Sequence, residues 1–269
     1  MLKDIFRYYF KANTKYRVHS PFVFEILNEV IEDSRHYYAF DHLQTLRNRL
    51  AKDNKLIEVL DLGAGSKKNP GSKRKVSDIL KSAVSPDWQC RFLFRLVNHL
   101  QPDCVLEMGS SLGLSTMALH FGNKSAQMVS LEGSPEIAQI AKENFKLLNA
   151  DKIEVIVGSF EETLPLALKN LKKIDLAFID GNHQKKPTIE YFEKILPFTH
   201  PKTVLIFDDI YWSDEMKSAW EELKNHHAVT MTIDLFWCGI LFFNTDFKEK
   251  QHFRLIPHRF KPWQSGFFR

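Results

Sequence analysis

The fold is decided by the stretch Val105-Leu106-Glu107-Met108-Gly109-Ser110-Ser111-Leu112-Gly113-Leu114-Ser115-Thr116. An apolar run that ends in an acid, followed by a glycine turn and a helix-forming segment, predicts a buried strand, a tight turn and a helix. The first turn of a helix points unpaired backbone N–H groups towards a ligand. We therefore expect a ligand cradle at the carboxyl end of this strand.

The glycine spacing narrows the choice of ligand. A dinucleotide-binding turn has the pattern G-x-G-x-x-G, in which the middle glycine lets the backbone approach a pyrophosphate. Here the pattern is Gly109-x-x-x-Gly113, and Ser111 stands where the middle glycine would be. The turn therefore favours a smaller zwitterion over a pyrophosphate.

A second apolar strand, 128–131, ends in Glu132, which lies 25 residues (132 − 107) after Glu107. This spacing accommodates one helix and a return strand and predicts a βαβ unit. A carboxylate at the end of the second strand can accept hydrogen bonds from both hydroxyls of a ribose. The alternative is a solvated glutamate at a strand end. Ser134 and Pro135 then predict the start of another helix, with Ser134 as its cap.

The pattern V-L-E-hydrophobic-G-x-x-x-G-x-S resembles motif I of class I S-adenosyl-L-methionine (SAM) methyltransferases, and is most similar to the catechol and caffeoyl-CoA type O-methyltransferases. The resemblance spans roughly 102–244. It implies an α/β, Rossmann-like fold with a mostly parallel seven-stranded sheet, an antiparallel C-terminal hairpin, an N-terminal helical extension, and SAM as cofactor. The cofactor-binding residues that we infer are Glu107, Gly109, Ser111, Gly113, Ser115, Glu132, Gly133, Ser159, Phe160 and Asp180.

Acidic side chains end two further predicted strands. Asp180 follows 174–179, and Asp208 and Asp209 follow 203–207. In the metal-dependent members of the resembled family, an aspartate ends strand four and an Asp-Asn pair ends strand five. The resemblance thus implies that Asp180, Asp208 and Asp209 bind Mg²⁺ or another divalent cation, although Asp209 departs from the family's asparagine. Alternatively, Asp208 or Asp209 caps the segment that follows.

His183 stands three residues after Asp180, where the catechol-type family has a lysine that takes a proton from the substrate hydroxyl. An imidazole, with a pKa near neutrality, can do the same. We therefore predict His183 and Asp180 as catalytic residues, with Lys185 and Lys186 as alternative bases. Catalysis would consist chiefly of holding a hydroxyl in line with an already activated methyl group.

The predicted function is O-methylation of a small hydroxylated molecule. One alternative is an RNA-modifying methyltransferase that uses the basic 67–75 loop, which holds Lys67 and Lys75 at its ends. We rank nucleic acid lower because no RNA-binding module is recognisable and a run of lysines is usually a solvated loop. A second alternative is a non-catalytic SAM-binding or interaction protein.

The predicted organisation has three parts: an accessory segment over 1–85, a SAM-binding core over 86–247 and a basic, aromatic tail over 248–269. The accessory segment would cover substrate or form a homodimer contact. It contains a look-alike of motif I at Gly63-Ala64-Gly65, which no second strand with a terminal acid follows. At the other end, 228–236 and 239–243 predict the hairpin.

Composition is consistent with an enzyme of one α/β core. The chain has 269 residues, 44% hydrophobic and 26% charged, with a net charge of +4. No apolar run could span a bilayer and no signal peptide is recognisable, so we expect a cytoplasmic protein without a membrane partner. Three scattered cysteines indicate neither a disulfide framework nor a zinc site.

Overall fold

A computed structural model describes residues 2–60, 72–247 and 249–264. Within these residues the α-helices are α1 Leu2–Lys11, α2 Pro21–Ile26, α3 Tyr38–Ala51, α4 Val76–Ser82, α5 Asp87–Leu100, α6 Leu114–Gly122, α7 Pro135–Leu147, α8 Phe160–Leu171, α9 Lys185–Ile195 and α10 Asp214–Asn225. The strands are β1 Leu56–Val59, β2 Ser72–Lys75, β3 Cys104–Met108, β4 Gln127–Glu132, β5 Ile153–Val157, β6 Leu176–Ile179, β7 Val204–Asp208, β8 Met231–Asp234, β9 Cys238–Phe242 and β10 Gln251–Arg254.

The chain divides into two compact units. One is Arg35–Ile174, called here the 35–174 unit; the other, the split unit, combines Met1–Ser34 with Asp175–Arg269. The split unit thus joins the two ends of the chain. The sequence boundaries at 85/86 and 247/248 describe functional segments rather than these units, and they stay predictions.

The 35–174 unit contains three parallel strands in the order β3-β4-β5. All five residues of β3 are buried, as expected for a parallel strand covered on both faces. Helices α6 and α7 connect the successive strands, so the predicted βαβ succession is confirmed. The carboxyl end of β3 leads directly into the glycine turn.

The segment predicted as a basic loop is in part a strand. Ser72–Lys75 forms β2, which pairs antiparallel with β1. Its side chains are exposed or half-buried, and its polar composition lacks the apolar alternation by which strands are predicted. The Gly63–Gly65 look-alike and the rest of 61–71 lie outside the described residues.

The split unit holds the other strands of the main fold. β6 and β7 are parallel, β9 is antiparallel to both β7 and β8, and β10 is parallel to β8. The predicted C-terminal hairpin is therefore confirmed as β8 and β9. The fold is mostly parallel and Rossmann-like as predicted, and β10, from the segment predicted as a tail, is a strand beyond the seven expected.

The two ends of the chain are hydrogen-bonded together within the split unit. Asn13 N–H donates to the Arg254 carbonyl at 2.8 Å, and the Tyr9 hydroxyl donates to the Phe260 carbonyl at 2.8 Å. The buried Lys261 ammonium donates to the Ala12 carbonyl at 2.7 Å. Because a cation at a helix C-terminus also complements the helix dipole, Lys261 fixes the end of α1.

Helix starts follow the sequence signals with one correction. The Ser20 hydroxyl accepts from Val23 N–H at 3.4 Å and Pro21 opens α2. Ser134 precedes α7 but does not cap it with its side chain. Its hydroxyl instead accepts from Leu60 N–H at 3.2 Å, because the end of β1 competes for it. Among the described residues, no helix is both long enough and apolar enough to cross a membrane.

Candidate active site

The glycine turn of the 35–174 unit has an unusual backbone. Gly109, Ser111 and Gly113 all have positive φ, of 101°, 45° and 86°. The N–H groups of Gly109 and Ser110 donate to the Leu131 carbonyl at 2.9 and 3.1 Å, so the turn is joined to β4. Ser111 takes the left-handed conformation itself, which explains how the turn forms without a middle glycine.

Gly113 is required by packing as well as by its backbone. A Cβ atom at this position would lie 2.5 Å from Cε1 of Phe145, on α7. That distance is far below van der Waals contact, so α6 and α7 approach as closely as they do because residue 113 has no side chain. Gly113 was predicted as a cofactor residue, and its packing role could be inferred only from the tertiary structure.

Glu107 lies beneath the turn and is fully buried. The hydroxyls of Thr116 and Ser130 donate to its Oε2 at 2.5 and 2.6 Å. Burial raises the pKa of this carboxyl to about 7, against the opposing effect of its hydroxyl donors. Within the described part of the chain, Oε1 has no hydrogen-bond partner.

A buried, unpartnered carboxylate oxygen is a site for a cationic donor. The amino group of the methionine part of SAM is such a donor, and the residues of the turn therefore fit this cofactor. The Ser111 hydroxyl is likewise buried without a partner among the described residues. Both groups belong to the stretch from which the sequence predicted a zwitterion site.

Glu132, at the end of β4, holds the turn in place. Its Oε2 accepts from Ser111 N–H at 2.8 Å and its Oε1 from Ser134 N–H at 2.9 Å. Burial raises its pKa, while these backbone donors lower it. Each carboxylate oxygen keeps a further lone pair for a hydroxyl. The hydrogen bond to Ser111 was not foreseeable from the sequence, because it depends on the left-handed backbone of Ser111.

The remaining cofactor candidates of this unit adjoin these groups. Gly158, at φ 147°, donates its N–H to the Glu132 carbonyl at 3.0 Å, which brings the Ser159–Phe160 turn beside Glu132. Ser159, Phe160 and Gly133 are partly exposed. Ser115 is buried and helps to lower the pKa of Glu107, so it acts on the acid beneath the turn.

The split unit brings His183 between two acids. Nε2 of His183 lies 3.6 Å from Oδ1 of Asp180 and 3.9 Å from Oδ2 of Asp209. Burial lowers the pKa of His183, and the charge of Asp209 partly offsets this. Burial also raises the pKa of Asp209, against the opposing effect of His183. A neutral imidazole that faces carboxylates can accept a proton and then be stabilised as imidazolium.

Two contacts position the loops of this site: one involves Asn182, which was not singled out from the sequence, and the other involves Asp209, which was predicted as a metal ligand. Asn182 has φ 51°, and its amide donates to the hydroxyl of the buried Tyr191 at 3.2 Å, which anchors the loop that carries His183. Asp209 has φ 53°, and its N–H donates to the Trp237 carbonyl at 2.7 Å. An asparagine in a Gly-Asn pair after a strand is a turn signal that could have indicated the first of these.

The alternative bases are engaged elsewhere. Lys185 Nζ lies 3.0 Å from the Ser218 hydroxyl and 3.0 Å from a carboxylate oxygen of Glu222. Lys186 is strongly exposed and 3.7 Å from Glu190. These ion pairs favour His183 as the base over either lysine.

The predicted metal set is not assembled. Asp208 is buried, and its charge contributes to the raised pKa of the Cys238 thiol. Over the described ranges no group of three or more His, Cys, Asp or Glu side chains could hold a metal ion. The donor set that Asp180, Asp208 and Asp209 would have to form therefore does not fit a hard divalent cation, which binds several oxygens at once.

The strand succession, the glycine turn and the acids at the ends of β3 and β4 define a Rossmann-like, class I methyltransferase fold. The comparisons with known proteins agree. Residues 106–210 match the family described as a methyltransferase domain. The matched residues begin within β3 and extend just past Asp209, and thus include both groups of candidate residues.

Curated relatives are O-methyltransferases. One from Aspergillus hancockii is 28% identical over 149 residues, which cover 53% of this chain and 58% of the relative. A transmembrane O-methyltransferase from Macaca mulatta is 35% identical over 78 residues, 28% of this chain and 26% of that protein. The chain thus spans only part of the length of these relatives.

Solved structures support the fold. An O-methyltransferase from Bacillus cereus in complex with SAH superposes with a TM-score of 0.55 at 20% identity, and the match covers 79% of this chain and 94% of that one. One from Streptomyces achromogenes, involved in tomaymycin synthesis and solved with SAM, gives a TM-score of 0.52 at 21% identity, with 60% and 82% covered.

Proposed function

We propose that this protein transfers a methyl group from SAM to a hydroxyl oxygen of a small molecule. The observation that carries the proposal is the fully buried Glu107 with an unpartnered Oε1 beneath the glycine turn, next to Glu132. The hydroxyl as acceptor is supported by His183 and its two carboxylates. The relatives from Aspergillus hancockii and Macaca mulatta are O-methyltransferases, which is the same reaction class.

The residues of the 35–174 unit would bind and orient the cofactor. Glu107 would accept from the amino group and Glu132 from the ribose hydroxyls, while Gly158, Ser159 and Phe160 would border the adenine. SAM supplies, when bound, a methyl group already activated on a sulfonium. The protein therefore needs no nucleophile of its own, and alignment contributes most of the rate enhancement.

The residues of the split unit would prepare the acceptor. Neutral His183 would take the proton from the hydroxyl, and Asp180 and Asp209 would stabilise the resulting imidazolium through charge. The cytoplasmic location and the homodimer contact expected from the sequence remain predictions.

The test combines binding with turnover. Calorimetry should detect SAM binding to the full chain, weakened at least about tenfold in Glu132→Ala because two hydroxyl contacts are lost. Glu143→Ala is a matched control, since Glu143 is an exposed acid on α7. Transfer of labelled methyl to catechols and other hydroxylated compounds should follow. Absence of SAM binding, or equal binding by both variants, would show that the assignment is wrong.

A further inference from the structure

An exposed apolar surface lies on α1, in the split unit. Leu2, Phe6 and Phe10 are 73%, 61% and 75% exposed, and Ile5 is also exposed. At 100° per residue these four side chains fall on one side of the helix, and we call them the α1 apolar stripe. The opposite side is held to the protein through Tyr8, which is buried.

A row of basic side chains runs beside this stripe. Lys3, Arg7 and Lys11 follow one another at intervals of four residues and are all exposed. We call them the basic row. The single acid of α1, Asp4, forms an ion pair with Lys217 at 3.1 Å and so does not neutralise the row. The helix therefore presents an apolar face flanked by positive charge.

The C-terminal segment extends the same surface with aromatic rings. Trp263 is 58% exposed and its ring lies 6.2 Å from that of Tyr9. Phe260 is exposed beside Arg259, whose guanidinium lies 4.9 Å from the ring centroid. The Tyr9 and Lys261 hydrogen bonds described above attach this segment to α1, so the aromatic groups belong to one built surface.

We propose that α1 and the Phe260–Trp263 segment dock onto the surface of a membrane that contains anionic lipids. Helices that lie in a bilayer interface have this combination of a large apolar face, basic side chains along its border, and tryptophan or tyrosine at headgroup depth. The basic row complements the negative surface potential of such a membrane. Docking of this kind requires no membrane-crossing helix.

A second copy of the chain is a poorer occupant. Helix α1 has 10 residues and is about 15 Å long, so one stripe is small against the roughly 800 Å² per partner of a stable interface. A two-fold contact through the stripe would also place the basic row of one copy near the basic row of the other. The like charges would repel, whereas an anionic lipid surface attracts both features at once.

The test is sedimentation of the full chain with lipid vesicles. Binding to phosphatidylcholine vesicles containing phosphatidylserine should exceed binding to pure phosphatidylcholine, and should weaken as salt is added. Phe6→Ser with Phe10→Ser should reduce the partition coefficient by about tenfold or more, since two exposed rings lose their apolar contact. Replacing Lys3, Arg7 and Lys11 by glutamine should reduce it by roughly fivefold per residue.

The matched control is Tyr38→Ser, which removes an aromatic ring that is 86% exposed in the 35–174 unit and should leave vesicle binding unchanged. Circular dichroism and SAM binding verify that each variant folds. The proposal is wrong if the chain does not bind anionic vesicles, or if the α1 variants bind as the unchanged protein does. Loss of a dimer in analytical ultracentrifugation, without an effect on vesicles, would instead assign the stripe to a second copy.

Discussion

At the scale of single residues, the environment of His183 predicts a specific pH dependence. A general base works only when neutral, and burial lowers the pKa of His183 below its ordinary value of about 6.5. Activity should therefore rise with pH along an acid limb whose midpoint lies below that value. The negative charge of Asp209 raises the pKa of His183, so Asp209→Asn should move the limb to still lower pH.

The measurement is the pH profile of kcat/KM, which reports the titrating groups of the free enzyme. His183→Ala should lower kcat/KM by about 10²- to 10⁴-fold and remove the limb, whereas His19→Ala, at an exposed histidine, should do neither. A limb that stays in place in His183→Ala would assign the titration to another group. A limb that moves to higher pH in Asp209→Asn would contradict the electrostatic argument.

The buried carboxylate of Glu107 should lower the stability of the protein and at the same time strengthen cofactor binding. Its pKa of about 7 lies above the value of about 4.3 expected in the unfolded chain. Between these values the folded state binds more protons, so the contribution of Glu107 to stability falls as the pH rises from about 4.3 to about 7. Without cofactor, Glu107→Gln should therefore raise the free energy of unfolding at pH 8, by up to about 3 kcal/mol.

The same substitution should weaken SAM binding at least about tenfold at pH 8, because the uncharged amide no longer attracts the amino group. Urea unfolding and calorimetry measure the two effects. Glu143→Gln serves as the control for both. A variant that is less stable and binds SAM unchanged would show that Glu107 is a purely structural acid.

At the scale of elements, the contact of α6 with α7 depends on Gly113. Gly113→Ala should destabilise the protein by about 2–5 kcal/mol, since it combines a left-handed backbone with a Cβ placed 2.5 Å from the Phe145 ring. Gly158→Ala is the comparison: φ is 147°, but the nearest atom, Thr163 Cγ2, is 3.1 Å away, so a smaller loss is expected. If urea unfolding gave the same loss of unfolding free energy for both variants, the close contact with Phe145 would not explain the effect of Gly113→Ala.

The elements also show what sequence patterns can and cannot predict. β3, β4 and β7 were predictable because each is an apolar run closed by an acid. β2 was not predictable, because its four residues, Ser72–Lys75, are all polar. Its strand conformation depends on pairing with β1, which its own residues do not indicate. The Glu132 contact with Ser111 and the Asn182 contact with Tyr191 arise from positive-φ backbone, which no residue type encodes uniquely. Candidate residues were thus predictable from the sequence, and their supports were not.

At the scale of the whole molecule, the net charge of +4 is compatible with two classes of methyl acceptor. One is a small hydroxylated compound and the other is RNA. In β2, Arg74 Nη2 lies 2.5 Å from the Ser82 hydroxyl, and Lys73 faces Glu58 across the ribbon. These neighbours leave fewer of the basic side chains of β2 available to bind phosphate groups. We therefore expect that replacing Lys73, Arg74 and Lys75 by glutamine leaves methyl transfer to small hydroxylated acceptors unchanged.

The decisive measurement compares labelled methyl transfer to a panel of hydroxylated compounds and to bulk RNA at two salt concentrations. RNA that relies on phosphate contacts would lose affinity steeply with added salt and with each neutralised cation, whereas a small neutral acceptor would respond to neither. The glutamine triple variant of the basic row on α1 controls for a general loss of positive charge. Transfer to RNA that falls only in the β2 triple variant would reverse the ranking and make β2 a nucleic-acid contact.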